Sequence, residues 1–185
     1  MKALKAFHGL EIQEKMKMAP KHFNQENNNM FHGYFPFLEN DISHKEFIDC
    51  GRPCFEEISE WEKNGCPLYE ENPWTENFKN GGENAWIKET FDNQFNLMHN
   101  LASTLISCLA IGLGKSEDYF DPWFKDECSS TMRGIHYNTR DANSICELNE
   151  QDRKLVTPEH SDSGFITLLS TFMFAGLEVE INGEY

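Results

Sequence analysis

Apolar positions along the chain change their period near Pro122. Before it they recur at helical spacing. Leu4, Phe7, Leu10 and Ile12 are roughly helically spaced and Pro20 closes the segment, which predicts a helix over 3–18. The clearest helix is 84–111. There Trp86, Phe91, Phe95, Met98, Leu101, Leu105 and Leu109 form a sustained stripe, and Gly112 and Gly114 supply a C-terminal stop. Residues 24–34 are polar and Asn-rich and are predicted to form an exposed loop. From Tyr34 to Trp74 the chain is broken by Pro36, Gly51, Pro53, Gly65, Pro67 and Pro73. It is predicted to be an irregular arm that wraps a core, either functional or held down by aromatic side chains.

After Pro122 the period shortens to that of strands. Residues 131–138, 153–158, 164–172 and 177–185 are predicted to be short strands. In the last of these Leu177, Val179 and Ile181 alternate with glutamates, and Asn182-Gly183 is a hairpin turn signal. Helices first and antiparallel strands after predict an α+β chain with a β-sandwich or barrel core. No internal repeat is visible.

Composition narrows the function classes. At 185 residues the chain is long enough for one domain with a real core, and fifteen Phe and four Trp predict aromatic packing. A net charge of −15 argues against a nucleic-acid partner, which needs a basic patch. No membrane-spanning run and no apolar leader stretch at the N-terminus are read from the sequence. The six cysteines, Cys50, Cys54, Cys66, Cys108, Cys128 and Cys146, form no CxxC pair and read as reduced thiols, which predicts a cytoplasmic location. The GLGKS at 112–116 lacks the first glycine of a phosphate-binding loop, since Leu109 stands there, and a helix precedes it.

The candidate chemistry lies in PEHSDSGFITLL, 158–169. Residues i and i+2 of an extended backbone share a face, so His160 and Asp162 can converge on one point. An imidazole and a carboxylate suit Fe(II), Mn(II) or Zn(II) better than Mg(II) or Ca(II). The pair is two-thirds of a facial triad of two histidines and one carboxylate. Gly164 and the apolar run after it would make the pair the lip of a buried strand.

HSDSGFITLL resembles the HxD-x-G-x-x-T-L-L signature of the Fe(II)/2-oxoglutarate-dependent dioxygenases of the isopenicillin N synthase-like superfamily. Other segments resemble that family in the expected order: AFHGLEIQEKMKMAP, FHGYFPF, KEFIDCGRP, NPWTEN, the helix ending in GLGKSEDYF, TMRGIHYN and GLEVEINGEY. The resemblance implies a helical region over 1–120 and the first strands of a double-stranded β-helix (jelly roll) over 121–185, here truncated. It implies His160 and Asp162 as iron ligands and Tyr137 as a residue near the co-substrate or substrate carboxylate. Arg133 is expected to orient its strand or pair with an acid, and Ser161, Ser163 and Thr167 to support or pack around the site. Asn138 stands where the family often has proline, so the substrate side departs from the pattern.

The implied activity is oxidation of a small organic substrate with O₂ and 2-oxoglutarate, releasing succinate and CO₂. Fe(II) is the implied metal and 2-oxoglutarate the co-substrate. The family's third ligand, a downstream histidine, and its downstream Arg-x-Ser have no counterpart, because no histidine follows His160 and no arginine follows Arg153. The sequence is therefore expected to be the middle portion of such an enzyme, inactive alone. Two alternatives are an oxidase of the same fold that dispenses with 2-oxoglutarate, and a truncated binding module without catalysis.

Overall fold

The computed structural model describes residues 1–53, 70–124, 129–139, 146–148, 154–173, 175–179 and 181. Four α-helices and three strands appear among them. They are α1 Lys2–His8, α2 Ile12–Met16, β1 Gly33–Phe35, β2 Lys45–Cys50, α3 Ala85–Gly112, α4 Asp121–Phe124 and β3 Met132–Tyr137, with a 3-10 turn at Glu76–Phe78 before α3. The strands make one antiparallel sheet in the order β1-β2-β3.

The helix expected over 3–18 divides in two. Gly9 ends α1 by bonding back to the Lys5 carbonyl at 3.0 Å, and Glu11 is extended as it opens α2. The break has a compensating bond, because Lys15 Nζ of α2 donates to the free carbonyl of His8 at 3.0 Å. The long helix forms as its stripe predicts. Its stop lies at Gly114 rather than Gly112, since Gly114 takes the positive φ of 71°. The amides of Gly114 and Lys115 bond to the carbonyls of Ile111 and Ala110 in a Schellman closure. By length and composition alone α3 could cross a membrane, a property it shares with the core helices of globular domains.

Two of the three strands lie where an exposed loop and an irregular arm were expected. Tyr34, in β1, is fully buried, and β2 buries Glu46, Ile48, Asp49 and Cys50. The turn residues of this region flank short strands rather than replace them. Gly33 is required at its place: its φ is 122°, and a Cβ there would lie 2.0 Å from the Met18 carbonyl oxygen that accepts the Tyr34 amide. The arm is held down as well. The Glu70 carboxylate accepts the amides of Met30, Phe31 and His32, and the Asn72 side chain bonds both polar groups of Gly51.

Strand β3 matches the expected 131–138. It pairs with β2, so the sheet joins residues on either side of 121. Among the described residues the other expected strands form no ladder. Lys154 makes a lone bridge to Leu148, and 164–171 and 177–179 carry no strand pairing, with Phe165, Ile166, Leu169, Leu177 and Val179 exposed. A strand exists only as a member of a ladder, and none of the described segments pairs with these residues. The lip of a buried strand expected after Gly164 is thus an exposed segment, and the Asn182-Gly183 turn lies outside the described residues. A three-stranded antiparallel sheet with helices is what the structure shows of the α+β architecture.

The core lies between the sheet and the helices. Phe7 is its centre, edge-on or tilted to the rings of Tyr34, Trp74, Phe78 and Phe91. Gly134 of β3 admits α1 and α3, since a Cβ there would already touch Leu4, Ile48 and Phe91. Truncating the central ring tests this packing. Phe7→Ala is expected to lower unfolding stability by about 3–5 kcal/mol, read as a fall in the urea midpoint with little change in slope.

Candidate metal centres

Side chains alternate across a strand, so β3 divides its chemistry between two faces. Met132, Gly134 and His136 share one face, and Arg133, Ile135 and Tyr137 the other. The register places His136 opposite Glu46, and Arg133 opposite Asp49. The two faces carry two separate groups of metal-capable residues.

Tyr137 belongs to the second face, and the segment that carries His160 and Asp162 reaches it. Thr157 Oγ1 donates to the Tyr137 hydroxyl at 3.3 Å, which ties the HxD segment to β3. His160 Nδ1 lies 2.9 Å from the Pro158 carbonyl oxygen. A carbonyl oxygen only accepts, which assigns the proton to Nδ1 and leaves a lone pair on Nε2 of the neutral ring. That Nε2 is 3.4 Å from Asp162 Oδ1, and both side chains are more than half exposed. A transition ion about 2.1 Å from each atom, at a right angle, holds two ligand atoms about 3 Å apart. The pair is therefore near the spacing that a shared ion requires. The convergence expected from the HxD spacing is present even though the segment is not in a ladder. Phe165, just beyond, packs on Phe120 and Phe124.

Arg133 does pair with an acid. Its Nε and one terminal nitrogen each donate to an oxygen of Asp49 at 2.7 Å, and the guanidinium lies over the Phe47 ring at 4.1 Å. The Asp49 bond is the main cause of an upward shift of the guanidinium pKa, and the negative charges available at Tyr137 and Asp162 add to it. Asp49 belongs to the KEFIDCGRP segment, so two of the quoted motifs meet in one ion pair.

The first face holds a group that the sequence did not reveal. Glu46 of β2 is buried, and residues from four elements surround its carboxylate. Lys15 Nζ donates to Oε2 at 2.8 Å, and the Tyr34 hydroxyl also donates to Oε2. His136 Nδ1 lies 2.9 Å from Oε1, and His8 Nδ1 lies 3.3 Å from it. His8, Glu46 and His136 each offer one ligand atom within 4.8 Å of those of the other two. Burial by itself would raise the Glu46 carboxyl. His8, Lys15, Tyr34 and His136 together outweigh it and hold the group well below the usual carboxylate range. Tyr34 moves the other way, upward, through burial first and then its bond to Glu46. These partners lie far from Glu46 in sequence, and only the strand register of His136 could have indicated one of them.

The Arg133–Asp49 pair makes a direct prediction. Arg133→Met leaves a carboxylate that is 6% exposed without its fork of donors, at an expected cost of about 1–3 kcal/mol in unfolding stability. Arg133→Lys is expected to recover only part of that loss, because one ammonium cannot reproduce a two-point bond. Chemical denaturation of the three proteins compares them.

No family model matches the chain. Sequence relatives do. The chain is 27% identical over 169 residues to isopenicillin N synthase of Amycolatopsis lactamdurans, covering 91% of this chain and 50% of that protein. It is 26% identical over 189 residues to the 2-oxoglutarate-Fe(II) type oxidoreductase hxnY of Emericella nidulans, covering 97% and 49%. The chain thus spans about half the length of the curated relatives it matches. Among solved structures, a 2OG-Fe(II) oxygenase family protein from Caulobacter crescentus superposes with a TM-score of 0.55 at 20% identity, covering 71% of this chain and 39% of that one. That likeness concerns the fold. By its sequence relatives the chain is similar to one superfamily, the isopenicillin N synthase-like Fe(II)/2-oxoglutarate-dependent oxygenases.

Proposed function

We propose that this chain carries part of the active site of a non-haem iron oxygenase that oxidises a small organic substrate with O₂ and 2-oxoglutarate. One observation carries the proposal: in the neutral ring the lone pair of His160 Nε2 faces Asp162 Oδ1 at 3.4 Å. Two electron-pair donors aimed at one point can hold a cation in place of the proton that would otherwise join them as an ion pair. An imidazole and a carboxylate on an exposed segment suit Fe(II). One sequence relative, named a 2-oxoglutarate-Fe(II) type oxidoreductase, supports Fe(II) and 2-oxoglutarate as the cofactors.

His160 and Asp162 would hold the iron, and the Pro158 carbonyl would keep the imidazole in the ligating tautomer. When bound, the iron supplies open coordination positions for O₂ and the co-substrate. Tyr137, on the same side of β3 as this segment, would offer its hydroxyl to a carboxylate of co-substrate or substrate. The Arg133–Asp49 bond would fix β3 against β2 and so the place of Tyr137. The third ligand, and the arginine expected for 2-oxoglutarate, are assigned to no residue of this chain. The jelly roll, and the division into 1–120 and 121–185, belong to this same proposal.

The names of most of the matched relatives favour a second reading, an oxidase of the same fold that does not consume 2-oxoglutarate. Succinate release separates the two. In protein captured from its source at its native length, the first reading expects Fe(II)-dependent succinate from 2-oxoglutarate. The second expects O₂ uptake without succinate. Under either reading Asp162→Ala should reduce turnover by about 100-fold or more, since it removes a direct ligand where even supporting partners count for 10–100-fold. Turnover retained in Asp162→Ala would refute both. Tyr137→Phe is expected to raise the half-saturating 2-oxoglutarate concentration by up to about tenfold, the worth of one hydrogen bond, with a smaller effect on the maximal rate.

A further inference from the structure

His8 Nδ1 is a buried nitrogen without a hydrogen-bond partner. Its side chain is 4% exposed, and that of Glu46 beside it is 7% exposed. The other ring nitrogen, Nε2, lies 3.2 Å from the Gly134 carbonyl oxygen. That oxygen only accepts, so Nε2 carries the proton, and in the neutral ring Nδ1 presents a lone pair. The lone pair faces Glu46 Oε1, an electron-pair donor, at 3.3 Å. Two donors of electron pairs in a dry site repel unless something positive lies between them. A third atom of the same kind is at hand, because His136 Nδ1 is 2.9 Å from the same Oε1.

We propose that His8, Glu46 and His136 form a second site for a divalent transition ion, of the Zn(II) or Co(II) kind, on the opposite face of β3 from Tyr137. The donor set of two imidazoles and one carboxylate suits such an ion, with room for water as a further ligand. The existing bonds leave that room. Lys15 and Tyr34 occupy Oε2, while Oε1 faces the histidines. His136 is 48% exposed, which gives an ion a path from solvent and lets Nε2 take the ring proton when Nδ1 ligates. With one carboxylate oxygen and an ammonium nearby, the site is poor for Mg(II) or Ca(II), which require several oxygens. The ligands come from α1, β2 and β3, so a bound ion would clip the first helix to the sheet.

The site is tested apart from His160 and Asp162 by removing both of those residues. The variant with His160→Ala and Asp162→Ala is titrated with Co(II) at neutral pH and followed by visible d–d absorption and calorimetry. One equivalent is expected to bind, with no response to Mg(II) or Ca(II), and thermal unfolding is expected to shift upward with the ion. In that background His8→Phe should abolish the spectrum. His136→Ala, at a half-exposed position, should weaken binding by about tenfold or more, with circular dichroism showing that each variant is folded. Absence of Co(II) binding would overturn the proposal, as would binding that a folded His136→Ala leaves unchanged. A metal-free His8 whose two nitrogens are both protonated by ¹⁵N resonance, with no Co(II) uptake, would show that a proton occupies the place instead. None of these readouts depends on oxygenase activity, so failure here and failure of the iron proposal remain separate results.

Discussion

The Glu46 carboxylate is the constraint on which the arrangement of the other elements depends. It is a charge taken out of water, and such a group is tolerated only when its lone pairs are met. Here Lys15 from α2 and Tyr34 from β1 donate to one oxygen, and the imidazoles of His8 from α1 and His136 from β3 face the other. Apolar packing around Phe7 supplies burial, but it is tolerant of small rotations. A carboxylate with four neighbours is not, because displacing any one element strands a polar atom in the core. The network thus specifies where α1 and α2 sit on a sheet of only three strands.

That fixing of β3 has consequences on its other side. Since His136 points to Glu46, Tyr137 must point away from it, toward Thr157 and the HxD segment. Arg133, two positions from Ile135 and four from Tyr137, shares that side and is locked by Asp49. A strand read from both faces therefore connects a buried polar centre to the exposed residues that carry the proposed oxygenase chemistry. The bidentate pair and the stack of Arg133 on Phe47 hold the strand from one side while Glu46 holds it from the other.

Local signals in the sequence were read correctly where one element decided the outcome. The stripe of α3, the extent of β3 and the convergence of His160 on Asp162 all follow from spacing within a dozen or so residues. Strands β1 and β2 were hidden because they are short, lie among prolines and glycines, and bury polar residues such as Glu46 and Asp49 that no hydropathy pattern marks as interior. The Glu46 centre was invisible for a further reason. Its partners lie 31, 12 and 90 residues away for Lys15, Tyr34 and His136, and only the folded register brings them together. The alternation over 177–179 describes a side-chain pattern suited to a ladder, whereas the ladder itself depends on a neighbouring strand, and those three residues carry no pairing.

Three carboxylates near β3 show how neighbours decide what an acid can do. Glu46 has an ammonium on one oxygen, Asp49 has a guanidinium across both, and Asp162 has the ring nitrogen of His160. Asp49 is satisfied in full, so nothing about it invites a ligand, and its role is to hold a strand. Asp162 is the reverse case: it is felt by the Arg133 guanidinium, which Asp49 already binds, and its side chain is open to solvent. Glu46 lies between them, neutralised on Oε2 yet facing two imidazoles on Oε1. Under the two proposals the capacity for metal would follow that order of compensation rather than the order of burial. On this ground the exposed pair suits an exchangeable, catalytic ion, and the buried one suits an ion whose work is to hold α1 in place.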